Sequence, residues 1–157
     1  MGPRLVFLLA AACAAGVLAP FASARTDQIG RSIDLRWPAN GTVTSPFGWD
    51  AGRPHAGLDI GILRSLDITA AEEGVVKHVG WLTGYDGYGL IVEVQLNQRY
   101  STLYAHLADA LVQPGELVTP NQKLGIAGCT GSCTGTHLHF ELRDGGRPVN
   151  PALLLAR

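Results

Sequence analysis

This chain predicts a mainly β domain, mostly antiparallel, on three observations. Its apolar residues fall in short β-branched or aromatic runs, turn residues punctuate those runs about every ten residues, and no long amphipathic helix is evident. Twenty glycines and nine prolines in 157 residues supply the turns.

In chain order, Met1 to Arg4 precede an uncharged apolar stretch, Leu5 to Leu18, which leads to Ala22-Ser23-Ala24. That pattern predicts a secretory signal peptide over residues 1–24, cleaved after Ala24. The apolar stretch is shorter than the ~20 residues of a membrane-spanning helix, so no transmembrane anchor is expected. A lipid anchor on Cys13 is the weaker reading, since Ala10-Ala11-Ala12 is a poor match to an acylation signal and the apolar run continues past the cysteine. The expected location is periplasmic or extracellular.

Loss of 24 residues leaves 133, enough for one domain. Residues 25–36 are polar and aperiodic and read as a short leader, with the domain over 37–155. Arg4 is the only charge removed, so the net charge moves from −1 to −2, which gives no electrostatic reason to expect nucleic-acid binding.

Within the domain, Gly74–Val79, Leu90–Leu96, Tyr100–Tyr104 and Leu124–Ala127 read as strands. Ala108–Leu111 is expected to form one helical turn. Val112–Gly125 resembles the β-hammerhead of lipoyl and biotinyl carrier domains. Lys123, however, falls in the closing strand rather than at a hairpin tip, which argues against a carrier function.

The chemistry concentrates in three segments. In His137-Leu138-His139-Phe140-Glu141, strand alternation puts both histidines and Glu141 on one face and Leu138 and Phe140 on the other. His55 and Asp59 lie four apart, and His106 sits in Tyr104-Ala105-His106-Leu107. Neutral imidazoles with a carboxylate suit a catalytic Zn²⁺ site. On a straight strand His55 and Asp59 would stand about 13 Å apart, so joint ligation requires a bend, for which Gly57 is the best candidate. The alternative is a surface histidine and a turn aspartate that never meet. His106 alone reads better as a satisfied edge histidine than as a site residue, and His78 as structural or solvent-facing. Glu141 is either a carboxylate that orients a ligand imidazole or a surface glutamate. Signal removal takes Cys13 and leaves Cys129 and Cys133, an even pair expected to form a disulfide in an oxidising compartment; two thiolate metal ligands are the alternative.

Taken in order, Ser45-Pro46-Phe47-Gly48, His55 to Asp59, Ala70 to Val76, Gly87-Tyr88-Gly89, Thr102 to Leu107, Val112 to Val118, Gly128 to Gly131, Thr134 to Glu141 and Pro148 to Pro151 resemble the lysostaphin and LytM family of zinc metallopeptidases. The resemblance implies a lysostaphin-type antiparallel β-sheet or sandwich, a duplicated hybrid motif with hammerhead-like elements, and a loop-lined active-site groove. It implies one zinc per chain on His55, Asp59 and His139, with His106 and His137 as catalytic histidines that do not bind metal. The implied activity is hydrolysis of peptide bonds in bacterial peptidoglycan. Two departures stand out: Trp49-Asp50 occupies the place where the family often has Arg two residues after Phe-Gly, and the loop leading to His55 is short. A rival within the same family is a module that has lost catalysis and regulates other cell-wall hydrolases, which would imply a regulatory partner in the cell envelope. A carbohydrate-binding or metal-storage domain is the third reading.

Overall fold

The computed structural model describes residues 33–156; the expected signal peptide, Cys13 and most of the leader lie outside them. The strands are β1 (Thr42–Ser45), β2 (Gly48–Asp50), β3 (Arg53–His55), β4 (Leu58–Gly61), β5 (Asp67–Thr69), β6 (Gly74–Gly80), β7 (Leu90–Gln95), β8 (Tyr100–Ala110), β9 (Leu117–Val118), β10 (Lys123–Ala127), β11 (Leu138–Asp144) and β12 (Arg147–Val149). A short 3₁₀ turn, Pro151–Leu153, follows. Among the described residues no helix is long and apolar enough to cross a membrane.

One ten-stranded sheet carries the domain in the order β1-β4-β11-β8-β7-β6-β9, with β12 beside β11 and β10 joining β5 to β8. Every strand pairing in it is antiparallel. The β2–β3 hairpin stands apart from it and delivers His55 at its end. Leu35, at the close of the expected leader, is fully buried and bridges Leu155.

Alternation along β11 sends its apolar side chains to one face of the sheet and His139, Glu141 and Arg143 to the other. Leu138, Phe140 and Leu142 enter the main core with Ile60, Val92, Val94, Tyr104 and Leu107. On the other side, Ile91, Leu103 and Ala105 form a smaller cluster capped by Leu82, Tyr85 and Tyr88. The 81–89 segment therefore lies over the sheet face that carries the histidines. A bare sheet face would leave its polar groups to water; the capped one buries them.

The expected helical turn at Ala108–Leu111 is not found. β8 continues through Ala110, with Asp109 opposite Ile126 and Ala110 opposite Gly125. A single turn gains almost nothing against its nucleation cost, whereas extension of β8 gives β10 a full ladder partner. The strand passes through His106 at φ 60°, a left-handed conformation unusual for a non-glycine residue.

Candidate metal centre and active site

Asp59 on β4 and His139 on β11 are direct cross-strand partners. His55 reaches them because the chain turns sharply at Ala56-Gly57 between β3 and β4, so the separation a straight strand would impose disappears. Gly57 is needed there for close approach. A Cβ at this position would collide with the Phe140 carbonyl oxygen and crowd His139 Nε2 at 3.0 Å.

Three donor atoms converge. His55 Nε2 is 3.1 Å from Asp59 Oδ1 and 3.1 Å from His139 Nδ1, and His139 Nδ1 is 2.8 Å from Asp59 Oδ1. A tetrahedral zinc with bonds of about 2.0 Å separates its ligand atoms by about 3.3 Å, so this triangle is nearly the size one face of that tetrahedron requires. These are also the residues that group as a candidate metal site among the described residues. The remote nitrogens are held too. His55 Nδ1 donates to the Pro46 carbonyl at 2.7 Å, and His139 Nε2 to Glu141 Oε1 at 3.1 Å. With the remote nitrogens bonded in this way, the nitrogens that face the triangle are the ones left to ligate a metal in place of their contacts with Asp59.

The electrostatics favour positive charge in the triangle. Burial alone would raise the Asp59 carboxyl, but the hydrogen bond and charge of His139, with His55 and His137, hold it below its ordinary value. Burial likewise works against a charged His139, yet hydrogen bonds to Asp59 and Glu141 lift it above 6.5. Two carboxylates thus favour positive charge at the point where His139 and Asp59 meet.

His106 and His137 flank the triangle with ring centroids 4.7 Å apart. His137 Nε2 is 3.7 Å from Asp59 Oδ1, and the His106 ring lies 5.9 Å from that of His139. Both donate Nδ1–H to a backbone carbonyl, His106 to Thr130 at 2.8 Å and His137 to Gly135 at 2.7 Å, so both keep a free Nε2 lone pair. Burial pushes His106 below 6.5. All five residues singled out in the sequence therefore meet at one place. His78 does not; it stands half-exposed on β6 beside Glu93.

Cys129 and Cys133 face each other with Cα atoms 5.4 Å apart, inside the range a disulfide spans. The loop they close carries Thr130, whose carbonyl holds His106 and whose hydroxyl donates to Leu107 O and accepts from Leu90 N.

Of the supporting residues, the sequence singles out Glu141 and passes over Tyr88 and Arg143. Glu141 is fully buried, which excludes its reading as a surface glutamate. It accepts from Tyr88 Oη at 2.5 Å and from Arg143 Nε at 2.7 Å besides His139. Burial would raise its carboxyl, but these partners hold it below its ordinary value. Burial and the adjacent Glu141 push the Tyr88 phenol well above 10, so it remains a donor. The one sequence signal for Tyr88 was its place in Gly87-Tyr88-Gly89.

Comparison with known proteins adds a lineage to this geometry. Residues 53–151 match the model of peptidase family M23. The murein hydrolase activator NlpD of Escherichia coli is 36% identical over 116 residues, 74% of this chain and 30% of that protein. The DD-carboxypeptidase/endopeptidase Mpg of Neisseria meningitidis is 36% identical over 115 residues, 69% of this chain and 26% of that protein. Among solved structures, a zinc-containing peptidase from Vibrio cholerae superposes with a TM-score of 0.65 at 32% identity, over 76% of this chain and 39% of that one. The chain spans less than a third of the length of these two curated relatives.

Proposed function

The chain belongs to peptidase family M23, and from that premise we propose a zinc-dependent endopeptidase that hydrolyses peptide bonds in the cross-links or stem peptides of bacterial peptidoglycan. His55, Asp59 and His139 hold one zinc per chain, and His106 and His137 are the catalytic residues. The observation that carries the proposal is the donor triangle, sized for zinc and backed by a fixed hydrogen bond behind each imidazole.

Zinc bound there supplies Lewis acidity, lowering the pKa of a water toward ~7 and polarising the scissile carbonyl. The remaining work falls to the chain. His106 and His137, each with Nε2 free, take a proton from the attacking water, stabilise the oxyanion as it forms and return a proton to the leaving amine. Their Nδ1 bonds to Thr130 O and Gly135 O keep both rings aimed at the same small volume.

In this reading residues 1–24 direct export and are removed, 25–36 lead into the domain over 37–155, and the protein works in the periplasm or outside the cell with Cys129 and Cys133 joined. A regulatory module acting on other cell-wall hydrolases is the alternative, supported by similarity to an activator. The complete set of five site residues favours hydrolysis.

Purified protein incubated with peptidoglycan is expected to generate new amino termini, and a zinc chelator to abolish them. Stoichiometric zinc binding without new termini would transfer the assignment to the regulatory or storage reading.

A further inference from the structure

Tyr88 touches both halves of the site and belongs to neither. Its phenol donates to Glu141 Oε1 at 2.5 Å, the same oxygen that accepts from His139 Nε2. Its ring stands edge-on to the His139 imidazole, centroids 5.2 Å apart and planes at 88°. Its backbone carbonyl accepts the His106 N–H at 2.9 Å, at the residue held in the left-handed region. The far oxygen of Glu141 is fixed by Arg143, which also donates to Tyr85 on the same loop. Glu141 therefore cannot rotate without breaking contacts at both ends.

We propose that Tyr88 is a positioning residue: by clamping Glu141 it fixes the proton of His139 on Nε2 and presents Nδ1 to the metal, while its carbonyl sets the backbone from which His106 reaches the reaction. Tyr88 thus couples metal binding to the geometry of acid–base catalysis. The inference rests on the zinc-peptidase reading, and its test separates the two.

Three variants decide it: Tyr88→Phe, which keeps ring and backbone and removes only the hydroxyl; Glu141→Gln, which keeps an acceptor of the same shape; and the double variant. Thermal melting of each checks that the fold is intact. Zinc Kd is measured by chelator competition, and the His139 tautomer by ¹⁵N imidazole shifts in zinc-free protein held at a pH high enough that the ring is neutral. Tyr88→Phe is expected to weaken zinc binding roughly 10-fold, within the range typical of groups behind a metal ligand, and to lower the share of the Nε2–H tautomer. The double variant should bind zinc as Glu141→Gln does, because Tyr88 acts through Glu141. Unchanged zinc affinity and tautomer in a folded Tyr88→Phe, or losses that multiply in the double variant, would overturn the inference alone. Wild-type protein that binds no zinc would overturn the metal-site reading and this inference with it.

Discussion

Replacement of Gly57 by alanine probes the site through its backbone. An added Cβ overlaps the Phe140 carbonyl oxygen and lies 3.0 Å from both Glu141 Cγ and His139 Nε2, where ordinary contact begins at 3.4 Å. The obstacle is main chain inside a ladder, so β4 must retreat from β11 by roughly 1 Å next to the Leu58–Phe140 and Asp59–His139 pairs. Overpacking of this kind costs about 1 to 3 kcal/mol. At about 4 °C per kcal/mol for a domain of this size, the melting temperature should fall by roughly 4 to 12 °C. The same displacement is a large fraction of the ~3.3 Å separation tetrahedral zinc requires between donors, so zinc affinity should fall at least 10-fold. Gly135→Ala is the control, because a Cβ there meets nothing within 4 Å; its stability should stay within about 0.5 kcal/mol of wild type. Scanning calorimetry and chelator competition on both variants make the measurement. A Gly57→Ala protein that melts and binds zinc like the wild type would refute the close-approach argument.

Substitution should split the five site residues into two classes. His55→Ala, Asp59→Ala and His139→Ala lose bound zinc and activity together, whereas His106→Ala and His137→Ala hold about one zinc per chain and lose roughly 10² or more in turnover; zinc retained by His139→Ala, or lost by His106→Ala, breaks the assignment. Intact mass without reduction should show Cys129 and Cys133 joined in exported protein. Replacing both by serine should cost about 2 kcal/mol at most by the chain-entropy account of so short a loop, with a disproportionate loss of turnover through Thr130 and His106; two alkylatable thiols in exported protein would defeat this. Burial disfavours the charged form of His106 and a bound cation acts in the same direction, so the imidazole stays neutral, and able to accept a proton, down through pH 6.5. The limb of kcat/KM that belongs to His106 should accordingly lie below 6.5, apart from any limb near 7 that a zinc-bound water gives, and a His106→Gln variant that leaves the limb below 6.5 in place would contradict it.

What was legible in the sequence follows the range of the interaction concerned. The two-residue period of 137–142 told which side chains share a face, and the structure sends Leu138, Phe140 and Leu142 to the core and His139 and Glu141 to the other side. Spacing alone left His55 and Asp59 undecided, because their meeting depends on a bend and on the register that sets Asp59 opposite His139, 80 residues away. Ala108–Leu111 reads locally as a helical turn because alanine and leucine favour one, and only the distant partner β10 makes extension through Ala110 the better choice. Glu141 illustrates the limit most clearly. Alternation assigns it to the site face but says nothing of what covers that face. Its cover is the 81–89 loop, whose Tyr88 lies 53 residues earlier in a glycine-rich turn that carries no periodic signal. The donor atoms of the site sit on strands, where local patterning is strong. Glu141 apart, the groups that hold the histidines, the carbonyls of Pro46, Thr130 and Gly135 and the Tyr88 hydroxyl behind Glu141, sit on loops, so their identity is set by tertiary contact. Glycine-flanked aromatics such as Tyr88 are therefore where a sequence reading of this fold should look for the groups behind its histidines.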